Sequence, residues 1–363
     1  MKICVYAMTK NESKFVDAWM DSMSEADYVV VLDTGSDDDT VYKLRSRGAI
    51  VDQCEIKPWR FDTARNVSMQ LIPEDADICV CTDLDEVFEK GWADILRQNW
   101  KPDTEKAKYL YSWNHDDNGN PLIQIWYEKI HANSPDWYWA MPVHEALTHR
   151  SKKDSEINMI YLPESFHLHH YPDLSKSRGQ YLHLMEMGIK EDPNDFMMQW
   201  YYGRELFYHK RYDDAIKQLE YVRSVQHPPG LHYQKAAAMV FLGHTYKEKQ
   251  KYQEAEKTYI YATQLASDVR EPLLFLTHLY YDTQQWYACI GAGLQVLEIP
   301  YKKGAWYEDR RNYRDKPHDY LSIAYWNIGD IKKGKYHIDM ALDYSPDDKR
   351  LLNNLQYFKN SSA

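Results

Sequence analysis

Two carboxylates one residue apart, Asp83 and Asp85, close an apolar run, Ile78-Cys79-Val80-Cys81-Thr82, and Glu86 follows them. Like charges packed this closely repel unless something neutralises them. A hard divalent cation does so through oxygen ligands. Mg²⁺ and Mn²⁺ both suit such donors, and Mn²⁺ also accepts imidazole. Imidazoles are supplied further on, in Phe166-His167-Leu168-His169-His170. In an extended segment His167 and His169 share one face and His170 points to the other.

The elements that position these groups follow from the hydrophobic pattern. Lys2–Met8, Tyr28–Leu32, Ala49–Ile56 and Ile78–Cys81 read as strands. Between them, Phe15, Val16, Trp19, Met20 and Met23 recur at helical spacing over Ser13–Ser24. A second helix runs from Thr40 to Arg47 and stops at Gly48, and a third leads from Trp59 to Ile72. Gly91–Trp100 reads as a helix after the acidic cluster. Alternation of this kind predicts a mostly parallel, doubly wound sheet. The loops after its strands carry Asn11 and Glu12, then Asp33 to Asp39, then Asp83 to Glu86, and such loops gather at one edge. Arg65 and Asn66 open the helix after the third strand. There is no Gly-x-Gly-x-x-Gly and no Gly-x4-Gly-Lys-Ser/Thr, so a nucleotide would have to be held by other means.

Four segments in order resemble the motifs of GT-A glycosyltransferases, family 2 in particular. They are Asn11-Glu12, Val31-Leu32-Asp33-Thr34-Gly35-Ser36, Phe61-Asp62-x-Ala64-Arg65-Asn66 and Thr82-Asp83-Leu84-Asp85-Glu86. The resemblance implies a nucleotide-sugar donor, usually a UDP-sugar, bound by Asn11, Glu12, Asp33, Arg65 and Asp83. It implies a divalent metal, Mn²⁺ or Mg²⁺, on Asp83 and Asp85, closed by either His167 or His169. It also implies transfer to an acceptor hydroxyl or thiol with inversion. Trp137-Tyr138-Trp139-Ala140-Met141-Pro142-Val143-His144-Glu145 resembles the acceptor side of family-2 enzymes that carry helical repeats, which makes Glu145 the candidate general base. Asp116 and Asp117 are the alternatives, although the turn chemistry of Asn118-Gly119 already accounts for them.

Composition narrows the classes. A net charge of -11 over 363 residues disfavours nucleic acid. No apolar run approaches the roughly 18 residues that span a bilayer. The first residues enter a strand without a secretory leader, and a cytoplasmic location is the expectation. Five cysteines in apolar contexts read as core thiols rather than disulfides. Aromatic content is 14%, with 31 Tyr, and the second half explains much of it. There Ala215, Ala255, Cys289 and Gly334 occupy a recurring turn at offsets of 40, 34 and 45 residues, the middle one matching the tetratricopeptide period. Residues 349–358 read as a capping helix. The mixed-charge aromatic stretch 301–316 is either a grip for an anion or a solvated loop.

The expected architecture is therefore α/β plus all-α. Residues 1–175 form a Rossmann-like GT-A domain and residues 176–363 a tetratricopeptide domain. The expected function is metal-dependent sugar transfer, with a peptide, glycan or other polymer acceptor held by the repeats and a homodimer formed through them. The alternative is a non-catalytic interaction scaffold with a degenerate GT-A domain and peptide-binding repeats.

Overall fold

The structure, a computed structural model, describes residues 1–116, 118–173, 179–302 and 308–360. It divides into two compact units, Met1–Gly188 and Ile189–Ala363.

In the first unit β1 (Ile3–Thr9), α1 (Val16–Met23), β2 (Tyr28–Asp33), α2 (Thr40–Ser46), β3 (Ile50–Gln53), α3 (Phe61–Met69) and β4 (Ile78–Thr82) alternate as the sequence predicts. After them come β5 (Glu86–Phe88), α4 (Trp92–Asn99), β6 (Lys106–Ser112), β7 (Ile123–Ala132), β8 (Trp137–Ala140), β9 (Ala146–His149), β10 (Met159–Tyr161), β11 (His167–His170) and α5 (Tyr181–Glu191). The main sheet runs β3-β2-β1-β4-β7-β6-β11-β5, with β10 beside β6. β1, β2, β3 and β4 are parallel. β7 is antiparallel to both β4 and β6, and β5 to β11. The sheet is thus mixed: β6 pairs in parallel with β10 and β11, and the antiparallel pairings enter because the turn after β6 returns the chain as a hairpin. β8 and β9 pair separately.

β1 and β4 are buried along their whole length. Strand alternation sends their side chains into two cores. Ile3, Val5, Ile78 and Val80 meet Trp19, Met23, Trp92 and Phe166 on one face. Cys4, Tyr6, Cys79 and Cys81 meet Trp137 and Trp139 on the other. All five cysteines are free thiols. Trp137 and Trp139 are both core side chains.

The second unit is a stack of helix pairs: α6 (Phe196–Tyr208) with α7 (Tyr212–Ser224), α8 (His232–Glu248) with α9 (Tyr252–Leu265), α10 (Glu271–Asp282) with α11 (Trp286–Glu298), and α12 (Asp315–Asn327) with α13 (Ile331–Tyr344). α14 (Lys349–Asn360) follows the last pair. Each pair turns through one residue with positive φ: Lys210, Gln250 and Gln284 at 57° and Gly329 at 81°. The left-handed residue ends the first helix and reverses the chain. Ala215, Ala255 and Cys289, with no exposed surface, then sit where the second helix meets the first. A Cβ on Gly243 would lie 2.5 Å from the Tyr259 ring, and one on Gly334 would lie 2.6 Å from Phe358 of α14. Small residues at these points let the helices approach, which is the physical basis of a helical repeat of tetratricopeptide type.

Candidate functional site

The loops after β1 and β2 lock onto one another. Asn11, at φ 56°, donates its backbone N–H to Ser36 Oγ (2.8 Å), and its Oδ1 accepts from the Asp37 N–H (2.8 Å). The Glu12 N–H donates to Thr40 Oγ1, and its carboxylate accepts from Thr9 Oγ1 (3.2 Å). Asp33, fully buried at the end of β2, accepts from the N–H groups of Gly35 and Ser36 and from Gln53 Nε2 (3.2 Å). Asn11, Glu12 and Asp33 are therefore together at the strand ends, and each has a structural task there.

Arg65 and Asp83 belong to a second group. The α3 helix carries Arg65 inward until it is 4% exposed, with its guanidinium 5.2 Å from the Trp139 ring centre. Asn66 fixes that ring's strand from both sides, bonding the Trp139 carbonyl and N–H at 2.8 Å each. Arg65 donates through Nε to Glu145 and through Nη2 to Asp83 (2.9 Å). Lys129, on β7 and equally buried, donates to the other Asp83 oxygen (2.9 Å) and to Glu86 Oε1 (3.1 Å). Glu86 in turn accepts from the Asp83 backbone N–H (2.8 Å). Burial alone would raise the Asp83 pKa. The charges of Arg65 and Lys129 outweigh it and hold the carboxyl well below the usual carboxylate range. Burial dominates at Glu86 and raises it.

This geometry bears on the expected metal. The positive charge that the sequence suggests as a divalent ion is supplied at Asp83 by Arg65, which reaches both carboxylate oxygens, and by Lys129 on Oδ2. Asp85 faces elsewhere, with Oδ2 3.3 Å from His170 Nε2. Burial would lower the His170 pKa, but the hydrogen bond and charge of Asp85 raise it. Asp83 is thus held by two cations and Asp85 by an imidazole, with different partners for the two carboxylates. His167 and His169 do not turn toward these aspartates. They lie on the other face of β11, beside Glu89. Glu145 follows His144, which is held at φ 55°, and its Oε1 is committed to Arg65. Asp116 ties its own hairpin, accepting from the N–H groups of Asn118 and Asn120. Asp117 lies outside the described residues.

Sequence reasoning missed Lys129, Glu86, Glu89, His115 and His170 as partners. Glu86 and His170 stand in the stretches already singled out, whereas Lys129 shares its strand with Gln124, Glu128 and His131 and no local pattern marks it. In the stretch 301–316, residues 303–307 lie outside those described. Lys302 pairs with Asp268, and Arg311 and Lys316 both pair with Asp309, so these cations are occupied locally.

The repeats present a row of rings along their first helices. Phe207 and Tyr208 of α6 meet Phe241 of α8 at 5.6 Å between ring centres. His244 meets Phe275 of α10 at 4.6 Å, and His278 stacks on Tyr320 of α12 at 5.2 Å. Tyr281 lies 5.3 Å from Tyr320. Tyr208 is half exposed, and Phe241, His244, Phe275, His278, Tyr281 and Tyr320 are partly so. Burial pushes the His244 pKa down to about 3, so its ring is neutral. Lys247 and Asp282 pair across α8 and α10 at the edge of the row.

No sequence family and no curated protein matches the chain. Among solved structures it is similar to MamA, at 17% identity, covering 50% of this chain and 99% of that one with a TM-score of 0.39. It is similar to a tetratricopeptide repeat protein from Parabacteroides merdae at 12% identity, covering 49% and 64%, TM-score 0.39. It is also similar to TTC0263, a thermophilic TPR protein of Thermus thermophilus, at 18% identity, covering 50% and 91%, TM-score 0.34. The expectation of a glycosyltransferase enzyme is corrected accordingly. The solved structures named here match about half of this chain and include tetratricopeptide repeat proteins, and Asp83 and Glu145 are both engaged by Arg65.

Proposed function

We propose that the chain is a non-catalytic interaction protein whose repeats bind an extended peptide along the first helices. The row of partly exposed rings from Tyr208 to Tyr320 carries this reading. Rings that neither reach full burial nor scatter singly offer flat apolar area at low entropic cost, and stacked repeats build extended binding surfaces. The solved structures named for peptide binding, the first TPR of Spaghetti bound to an HSP90 peptide and YrrB with its unusual peptide-binding site, are in keeping with it. In this reading the first unit is a degenerate GT-A domain, with Asn11, Glu12 and Asp33 at the crevice that would accept the nucleoside of UDP without turnover.

The test is selection of linear peptides on the full chain, followed by titration of those selected. The Tyr208→Ala/His278→Ala variant should bind them at least about tenfold more weakly, since truncating an aromatic anchor costs more than about 1 kcal/mol. Unchanged affinity would remove the row from the binding surface. Turnover of a UDP-sugar by the purified chain would refute the non-catalytic reading.

A further inference from the structure

The histidines of β11 have a partner that the acidic motif does not explain. Glu89 follows β5, and its N–H donates to the His167 carbonyl at 3.0 Å. Its Oε1 lies 3.5 Å from His167 Nδ1 and 3.2 Å from His169 Nε2. The three donor atoms all fall within 4.8 Å of one another, and among the described residues no other group of three His, Cys, Asp or Glu side chains does so. A tetrahedral ion with bonds of about 2.0–2.1 Å spaces its ligand atoms about 3.3–3.4 Å apart.

The far side of each ring is equally informative. His167 Nε2 meets Ser112 Oγ at 2.7 Å, and His169 Nδ1 meets His115 Nε2 at 2.8 Å. With Nδ1 of His167 and Nε2 of His169 turned to an ion, the opposite N–H groups donate to those partners. That is how metal-ligating imidazoles are oriented. Gln124 adds an independent sign. Its amide nitrogen stands 3.3 Å from His167 Nε2, while its Oε1, almost wholly buried, has no hydrogen-bond partner. Its amide nitrogen also stands 3.3 Å from Ser112 Oγ, so turning the amide would let the oxygen accept from the Ser112 hydroxyl, which itself receives the His167 Nε2–H. The two imidazole rings are also only 4.0 Å apart between their centres.

We propose that Glu89, His167 and His169 form a transition-metal site of zinc type, with Ser112, His115 and Gln124 orienting the ligands, separate from Asp83 and Asp85. Two imidazoles with one carboxylate favour Zn²⁺ or Co²⁺ over Mg²⁺, which prefers oxygen alone. Three protein ligands leave the fourth position to water. Because Glu89 follows β5 and the histidines lie on β11, the ion would pin these two strands together.

The test titrates the chelator-stripped full chain with Zn²⁺ in a calorimeter and with Co²⁺ by its visible absorption. One ion per chain and tetrahedral Co²⁺ bands are expected. Glu89→Gln should weaken Zn²⁺ by at least about tenfold, and His115→Ala by about 10- to 100-fold. Asp85→Asn should leave it unchanged. The Glu89 side chain is 54% exposed, so its replacement leaves the fold intact, which circular dichroism checks. No binding, equal binding of Mg²⁺, binding indifferent to Glu89→Gln, or loss in Asp85→Asn would each overturn the proposal.

Discussion

Replacing Asp83 by Asn separates two accounts of the acidic motif by the sign of one measurement. In the structure Asp83 lies between two buried cations, Arg65 and Lys129. Removing one partner of a buried ion pair costs about 3–5 kcal/mol. Two features reduce that here. The Asp83 side chain is 34% exposed, where solvent screens it, and each cation keeps a second carboxylate, Glu145 for Arg65 and Glu86 for Lys129. About 2 kcal/mol remains, and for a unit of this size each kcal/mol moves Tm by about 2–4 °C. Asp83→Asn should therefore lower the Tm of the first unit by about 4–8 °C in chelator, read by tryptophan fluorescence on the full chain. The folded pKa of Asp83 is depressed, so this advantage of the wild type is present above the unfolded value of about 3.9. It is lost as pH falls toward the folded value. Pairing Asp83→Asn with Lys129→Met should cost less than the sum of the two single changes. If Asp83 and Asp85 were bare carboxylates waiting for a divalent ion, Asp83→Asn would relieve repulsion and raise Tm in chelator. A rise, or no change alongside strong Mn²⁺ stabilisation of the wild type, would refute the reasoning.

Two further predictions concern the repeats. Gly243→Ala forces a methyl against the Tyr259 ring, which is 1% exposed and bonded to His244 at 2.6 Å. It should cost about 1–3 kcal/mol, read as a lower Tm of the repeats with the first unit unaffected. Glu271, 3% exposed at the start of α10, is raised to about 7 by burial, which outweighs the hydrogen bonds from Asn312 and Tyr313. An acid whose folded pKa is raised loses stability as pH climbs from its unfolded value of about 4.3 to the folded one. Glu271→Gln should therefore gain about 3 kcal/mol relative to the wild type between pH 4.5 and pH 7 and less than about 0.5 kcal/mol more above it. A difference between the two that does not vary with pH would exclude this titration.

Much of the architecture was open to sequence reasoning because it depends on local pattern. β1, α1, β2, α2, α3 and β4 follow from hydrophobic periods and flanking turns. The repeats follow from small residues at similar offsets, and α14 from the helical pattern of residues 349–358. The reversal between β6 and β7 is marked by Asn118-Gly119, but nothing local shows that β7 will lie between β4 and β6. The site suffers from the same gap. Lys129 reaches Asp83 only through the pairing of Cys79 with His131 and Val80 with Ile130, 46 residues apart along the chain at the charges themselves. The shared face of His167 and His169 was readable from strand alternation. Glu89 beside them depends on the antiparallel register of β5 with β11, where Leu168 stands opposite Phe88.

The ends of the main sheet path are β3 and β5, of four and three residues. β3 carries Asp52 near its end, and Glu89 and Lys90 follow β5 directly. Strands this short and charged expose few unpaired amides and carbonyls in register, so they are poor templates for annealing with another polypeptide. Recruitment by strand addition is thereby discouraged at both ends of the sheet, as is edge-to-edge aggregation.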